Sequence, residues 1–374
     1  MKATNIIFFF ITFVHLSSEN CNIIMCNLKG KSLKQSRLTS ADIDTTVCPY
    51  LTISFAEFDN DALVVDKQVS ETFPWMWVAK AKNPNFKLVL CFYNAVGVEE
   101  FYDMYRTPEK RLKFIPLLVT YLRNNKFDGV QVELAVGYGL WSPLRYNIDR
   151  WADFMEDIQK AFTEEAKSSG KPKLLLFGHI DSRKEDYDPL YHVPRIYKYS
   201  DFVIVDAWPY YPLRIGPKYN ISITNTHHTR IYSEHQGDFS NIDYNVKTIL
   251  RKGGIKEKTV ISLYLMAEFY RRVFGLGFPR YDWVKYDNYG AVGAIMSQGG
   301  NVTRVFDNCP IFMSDRTVIY YDDEISLTEK VKYIKTKGLA GFEISDMSAD
   351  DFKGVFGRGK FPLMRAVNEE CRKP

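Results

Sequence analysis

A single (β/α)8 barrel, an α/β TIM barrel with a reduced α+β insertion after its seventh strand, is the fold class that this sequence predicts. Three observations predict it. Eight short runs dense in Val, Ile, Leu and Phe recur along the chain, and runs apolar on both faces are what the strands of a parallel sheet require. The segments between them change period, placing apolar residues three and four apart as on one face of a helix. A chain of 374 residues is long for one domain, but barrels with an insertion commonly reach that size.

The first runs are NIIMC (22–26), YLTISFAEF (50–58) and FKLVLCFY (86–93). Ahead of the fourth, FDGVQVELA (127–135), Phe114, Leu117, Leu118 and Tyr121 fall on one helical face; behind it Ile148, Trp151, Phe154, Met155, Ile158 and Phe162 do the same. KLLLFGH (173–179), DFVIVDAW (201–208), TVISLYL (259–265) and LAGFEIS (339–345) complete eight βα units. One gap exceeds a βα loop. About 60 residues rich in Gly, Tyr and Asp separate the seventh strand from a helix beginning near Ser326, and structureless loops beyond about 15 residues are uncommon in compact domains. This stretch reads as an inserted subdomain at about 267–318. Neither an internal repeat nor a low-complexity tract interrupts the pattern.

Composition is 46% hydrophobic, 25% charged and 15% aromatic, which describes a globular chain and excludes a disordered or collagen-like one. A net charge of +4, spread over interspersed acids and bases, gives no sign of nucleic-acid binding or of a polybasic membrane anchor. Residues 1–20 carry Lys2, an apolar run from Ile6 to Val14 too short to span a bilayer, and then small polar residues. They read as a signal peptide cut near residues 18–21, leaving the barrel over 21–374. Six cysteines and acceptor sequons at Asn220 and Asn301 agree with an oxidising secretory route, so a secreted, extracellular protein is expected. No later segment has the length and apolarity of a membrane span.

The stretch KFDGVQVELAVGYGLW (126–141) resembles the glycoside hydrolase family 18 signature F-D-G-x-D-x-D-x-E, and both ends of the chain fall into the same register. LTSADIDTTVCPYLTISFA (38–56) looks like that family's loop ending in a cysteine and a second strand. Residues 320–367 are similar to its last unit, with Tyr-Asp-Asp, a Lys-Gly-Leu-x-Gly turn, Asp-Asp-Phe and Lys-Phe-Pro-Leu in order. The resemblance covers nearly the whole mature chain. It implies a chemistry in which a glutamate ending the fourth strand is the general acid, backed by an aspartate two residues earlier, with the substrate's own N-acetyl group as nucleophile. It also implies a Cys26–Cys48 disulfide. Cys309 matches a family cysteine whose usual partner, near Gly357, is absent, and Cys371 is the nearest replacement. Cys91 reads as a buried free thiol, with Cys21 either unpaired or bonded to it.

At the acid's position stands Ala135, which has no proton to donate. The degenerate motif is thus Asp128, Gln131, Glu133 and Ala135, and strand alternation turns the last three toward the lumen. Other losses follow from the same resemblance. The Tyr-Asp pair that contacts the acetamido group matches Trp208 and Pro209. Thr-Tyr-Gly-Arg matches Leu265, Met266, Ala267 and Glu268, the sugar-bearing tryptophan matches Ser345, and Gly-Gly-Trp becomes Tyr93, Asn94 and Ala95.

The reading that follows is a secreted, non-catalytic chitinase-like protein, a monomer needing no cofactor or metal. Its partner is an unknown secreted protein, receptor or glycan. The alternative is a glycoside hydrolase that acts on N-acetylglucosamine-containing glycans through relocated carboxylates, Glu133 and Asp206. Clustered buried carboxylates often titrate high enough to serve as acids, and Gln131 and Glu343 share the lumen with them. Against it, Glu133 lies one rung below Ala135, roughly 6–7 Å along the strand. The plainer reading makes Glu133 and Asp206 polar fillers bonded to each other and to Asp128. Candidate ligand-binding residues at the mouth are Trp208, Tyr210, Tyr211, Tyr93, Met266 and Glu268, since Trp and Tyr faces stack on sugars or peptides. AWPYYPL (207–213) has a competing use, packing under the insertion. His227, His228 and His235, in HHTRIYSEH, lack the spacing of helical zinc sites and read as an exposed polar loop.

Overall fold

The computed structural model describes residues 21–30, 38–39, 42–59, 62–93, 98–133, 148–181, 191–206, 227–233, 240–274, 279–305 and 307–374. Eight parallel strands close into a barrel: β1 (Ile23–Lys29), β2 (Tyr50–Asp59), β4 (Lys87–Phe92), β5 (Gly129–Val132), β6 (Leu175–Asp181), β7 (Phe202–Asp206), β8 (Thr259–Tyr264) and β14 (Gly341–Ser345). Their order is β1-β14-β8-β7-β6-β5-β4-β2, and a β1–β2 pairing shuts the ring. A short β3 (Ala62–Val65) adds antiparallel to β2 outside it. Each of the eight apolar runs forms one barrel strand.

The lumen has two halves. Ile23, Met25, Val89, Phe177, Ile204 and Val260 fill the lower one with an apolar plug. Two residues further along the same strands, alternation carries the inward positions to Asn27, Cys91, His179, Asp206 and Ser262. The upper half is therefore polar. Outward-facing strand residues join the helices in the main core, where the helix Ile148–Ser169 buries Trp151, Phe154, Met155, Ile158 and Phe162. In the helix Pro108–Asn124 the buried stripe is Phe114, Ile115, Leu118 and Leu122. Leu117, expected on that face, is 50% exposed, because at about 100° per residue it falls on the far side of this stripe.

Aspartates tie the strands together at the bottom. Asp128 accepts from the Leu88 amide (2.8 Å) and from Lys80 Nζ (2.7 Å). Asp201 repeats the device on the Leu176 amide (2.8 Å) and Lys173 Nζ (2.8 Å). Asp128 thus serves the N-terminal face of the barrel, where side chains act on stability, and not the polar half above. The helix Glu324–Lys337 begins on a capping box between Asp323 and Ser326 and ends at Gly338 in the left-handed region (φ 66°). Gly341 opens β14 at φ 153°, where an added Cβ would lie 1.9 Å from the Ile23 carbonyl oxygen. Only glycine lets β14 pair there with β1.

Between β8 and that helix lies a second, antiparallel sheet. It contains β9 (Ala267–Phe274), β10 (Pro279–Asp287), β11 (Asn301–Val305), β12 (Cys309–Met313) and β13 (Thr317–Tyr320) in the order β10-β9-β13-β12-β11. Phe269, Phe312 and Ile319 join it to the main core. Tyr270, Ile311, Val318 and Tyr320 form a separate cluster on its other face.

Cys26 is bonded to Cys48, with Cα atoms 5.6 Å apart. The second disulfide corrects the sequence expectation: Cys371 pairs with Cys21 (Cα–Cα 5.5 Å), and not with Cys309. The helix Pro362–Arg372 carries Cys371 back to the start of β1, whereas Cys309 is sealed in β12. Cys309 and Cys91 are buried free thiols, and burial pushes Cys309 up to about 12. No helix among the described residues is long and apolar enough to cross a membrane.

Candidate ligand site in the upper barrel

The polar half of the lumen is a connected set of side chains. Gln131 Nε2 donates to Glu133 Oε1 (2.6 Å), which also accepts from Cys91 Sγ (3.3 Å). Across the barrel, Glu343 accepts from Asn27 Nδ2 (3.4 Å) and Ser262 Oγ (3.4 Å), and Ser54 donates to Asn27 Oδ1 (2.9 Å). His179 Nε2 stands 3.1 Å from Asp206 Oδ2. Glu133 is therefore tied to Gln131 and Cys91, and the expected link to Asp128 does not form, because Asp128 is engaged at the opposite end. Glu133, Asp181 and Asp206 end adjacent strands and keep partial exposure.

Two groups on opposite walls report the same field. Burial, reinforced by the Glu133 and Asp206 carboxylates, pushes Glu343 up to about 8, against the smaller pull of His179 and Lys29. At His179 burial favours the neutral ring, yet Asp206, Glu133 and Asp181 together outweigh it and raise the imidazole to about 10. At neutral pH the lumen therefore holds a protonated carboxyl and an imidazolium. Glu343 has the protonation state of a general acid, but it is 2% exposed and spends both oxygens on Asn27 and Ser262. An acid so placed has no access to a bond at the mouth.

The mouth candidates divide. Tyr93 ends β4, half-buried, with its ring 4.8 Å from that of Phe55. Ser345 ends β14 in register with Tyr264. Met266 packs against the main core. Glu268 is corrected: it is 1% exposed and accepts from the Tyr270 hydroxyl (2.8 Å), because β9 turns it into the inserted sheet. Ala135, Asn94, Trp208, Tyr210, Tyr211, Asn220 and His235 lie outside the described residues. Asn301 and Thr303 are exposed on β11.

The histidine loop is also corrected. His227 and His228 are fully buried; His227 Nε2 meets the Tyr321 carbonyl oxygen (3.0 Å) and Thr229 Oγ1 donates to Asp322 Oδ2 (2.7 Å). Lys330 closes the set by pairing with Asp322 and donating to Thr229 Oγ1 (2.8 Å). Burial holds both imidazoles below their usual range. His227 and Thr229 spend their polarity on a buried network at the start of the helix Glu324–Lys337. Among the described residues no group of three His, Cys, Asp or Glu side chains is disposed to hold a metal ion.

The apolar run of the fifth barrel strand, β6, hides His179 from a reading by composition alone. Its signal was the alternation Leu175, Phe177, His179, Asp181, which turns from apolar to ionisable at the mouth.

A closed parallel barrel with a polar upper lumen and an antiparallel subdomain after its seventh strand is a (β/α)8 scaffold with an insertion. The model of the glycosyl hydrolases family 18 matches residues 24–350, and the chain belongs to that family. It is 28% identical over 367 residues to chitotriosidase-1 of Mus musculus, an alignment covering 90% of this chain and 75% of the relative. It is 25% identical over 358 residues to chitinase-3-like protein 2 of Homo sapiens, covering 88% and 87%. The fold matches human YKL-39, crystallised with chitooligosaccharides, at a TM-score of 0.83 and 22% identity over 94% of this chain and 99% of that one. Another structure of that protein, described as a pseudo-chitinase with retained chitooligosaccharide binding, matches at 0.81.

Proposed function

We propose that this protein is a secreted, non-catalytic member of its family that binds a glycan at the barrel mouth instead of cleaving it. The observation that carries the reading is Ala135 at the position of the family's acid, joined by the side chains of Glu133 and Glu343 held in hydrogen bonds inside the lumen. Positioned proton donation typically contributes a factor of about 10² to 10⁴ in rate, and here no described group is placed to supply it. The likeness to chitinase-3-like protein 2, and in fold to a pseudo-chitinase that binds chitooligosaccharides, supports binding as the retained property. Two disulfides support a route through an oxidising compartment, and the exposed Asn301 sequon offers a glycosylation site on the way.

The test is a pair of measurements on the purified secreted protein. Chitooligosaccharides incubated between about pH 4 and 8, the range of a carboxyl acid of ordinary or raised pKa, should remain uncleaved. A calorimetric titration with oligosaccharides should show binding. Turnover that disappears in Glu133→Gln or Asp206→Asn would replace this reading with the relocated-carboxylate hydrolase; absence of binding to any glycan would leave a protein partner in its place.

A further inference from the structure

Two polar atoms on one wall of the upper barrel have no partner among the described residues. They are Gln131 Oε1 and His179 Nδ1, on residues 0% and 6% exposed. Buried polar atoms are nearly always hydrogen-bonded, so such a pair on a polar wall is open to a water or a ligand group that supplies the partners. The two are chemically complementary. An amide oxygen accepts and waits for a donor, while Nδ1 of an imidazolium donates and waits for an acceptor.

Strand register shows what surrounds them. Val132 pairs with Gly178 and Asp181 with Asp206, so Glu133 stands beside His179, and the carboxylates of Glu133, Asp181 and Asp206 share one rim. From the other walls the cluster is faced by the Cys91 thiol on β4, the buried carboxyl of Glu343 on β14 and the ammonium of Lys29 on β1. Three carboxylates stand against two cations, and the upward displacement of both His179 and Glu343 supports a negative field across the lumen.

We propose that this wall recognises the vicinal amino-alcohol of a deacetylated amino sugar, with its ammonium donating to Gln131 Oε1 and to the Glu133 and Asp206 carboxylates. The neighbouring ring hydroxyl accepts from His179 Nδ1. One sugar unit thus supplies a donor to the waiting acceptor and an acceptor to the waiting donor. N-acetylation would remove the charge that the carboxylates attract and would add an acyl group. An anionic ligand would meet three carboxylates. This inference rests on the glycan-binding reading above and specifies its ligand.

The experiment is calorimetric titration of the whole secreted protein at pH 6 with a glucosamine tetramer and an N-acetylglucosamine tetramer, at low and high salt. The amino tetramer should bind at least about tenfold more tightly, as charge-assisted hydrogen bonds would give, and salt should weaken only that tetramer. Glu133→Gln keeps an oxygen for Gln131 and Cys91 to donate to and should abolish the preference, as should Asp206→Asn; melting curves check that both variants fold. If either does not, the wild-type ratio alone decides. Equal affinity for the two tetramers overturns the amino-sugar assignment and leaves glycan binding standing, whereas binding of neither overturns both. A lysine-containing peptide that binds as tightly as the amino tetramer would overturn the sugar as the source of the ammonium.

Discussion

Glu343 shows what the polar lumen costs a single residue. Its carboxyl is ordinary in an unfolded chain and raised to about 8 in the fold, by burial and by the charges of Glu133 and Asp206. A group whose folded pKa is raised contributes stability that is fully present below its unfolded pKa, about 4.5, and lost as pH rises through about 8. Glu343→Gln keeps an oxygen to accept from Asn27 Nδ2 and puts an amide donor toward Ser262 Oγ, without the titration. It should match the parent near pH 5 and exceed it by about 1 kcal/mol or more at pH 8.5 in chemical denaturation. A variant equally destabilised at both pH values would show that Glu343 is not protonated in the fold. Lys330 and Asp322 present the opposite case, a buried pair in which Lys330 outweighs burial and lowers Asp322 to about 2. Lys330→Met strands that carboxylate beside His227 and should cost about 3–5 kcal/mol. The two histidines work with the opposite sign to Glu343: their folded pKa values are depressed, so the stability linked to them is present above about 6.5 and is lost as pH falls below it. A stability maximum near neutrality that flattens on the acid side in a His227→Gln, His228→Gln double variant would be the signature.

At the scale of elements, the strands were legible because burial on both faces leaves no choice but an apolar run. The helix Ile148–Ser169 was legible for the same reason, its stripe being wide and aromatic. Leu117 was misplaced because a short apolar cluster fits two helical faces until the packing partner chooses one. Cysteine pairing was beyond sequence reasoning. Cys21 and Cys371 are separated by 350 positions, and only the return of the C-terminal helix beneath β1 brings them together. That tether fastens the last helix to the first strand, so Cys371→Ser should lower stability by about 2–4 kcal/mol in denaturant titrations under oxidising conditions. Reducing agent should erase most of the difference between this variant and the parent. An unchanged midpoint for Cys371→Ser would mean that packing of Leu363, Met364 and Val367 alone holds the helix in place.

For the whole molecule, what the sequence made legible about the site was mainly its departure from the family signature. Ala135 stands where the resemblance calls for the acid, and Glu133, Gln131, Asp206 and Glu343 were placed in the lumen by alternation alone. The partnership of His179 with Asp206 was not visible, since it joins two strands whose register only the closed barrel establishes. Loss spread over several positions makes a strong prediction about repair. Ala135→Glu would return a proton donor to the position that the family signature gives the acid, but the residue two positions before it is Glu133, already tied to Gln131 and Cys91, not an aspartate free to turn toward the new acid. Trp208 and Pro209 stand where the resemblance calls for the tyrosine and aspartate that grip the acetamido nucleophile, so its orientation and charge stabilisation stay absent. Misorientation of a reacting group by about 1 Å can cost about 10²-fold on its own. The single variant should therefore remain inactive on chitooligosaccharides across about pH 4 to 8 while folding normally. Robust hydrolysis by Ala135→Glu, measured as release of reducing ends, would show that the lumen positions an N-acetylated substrate and that its polar wall is compatible with the chemistry the family signature implies.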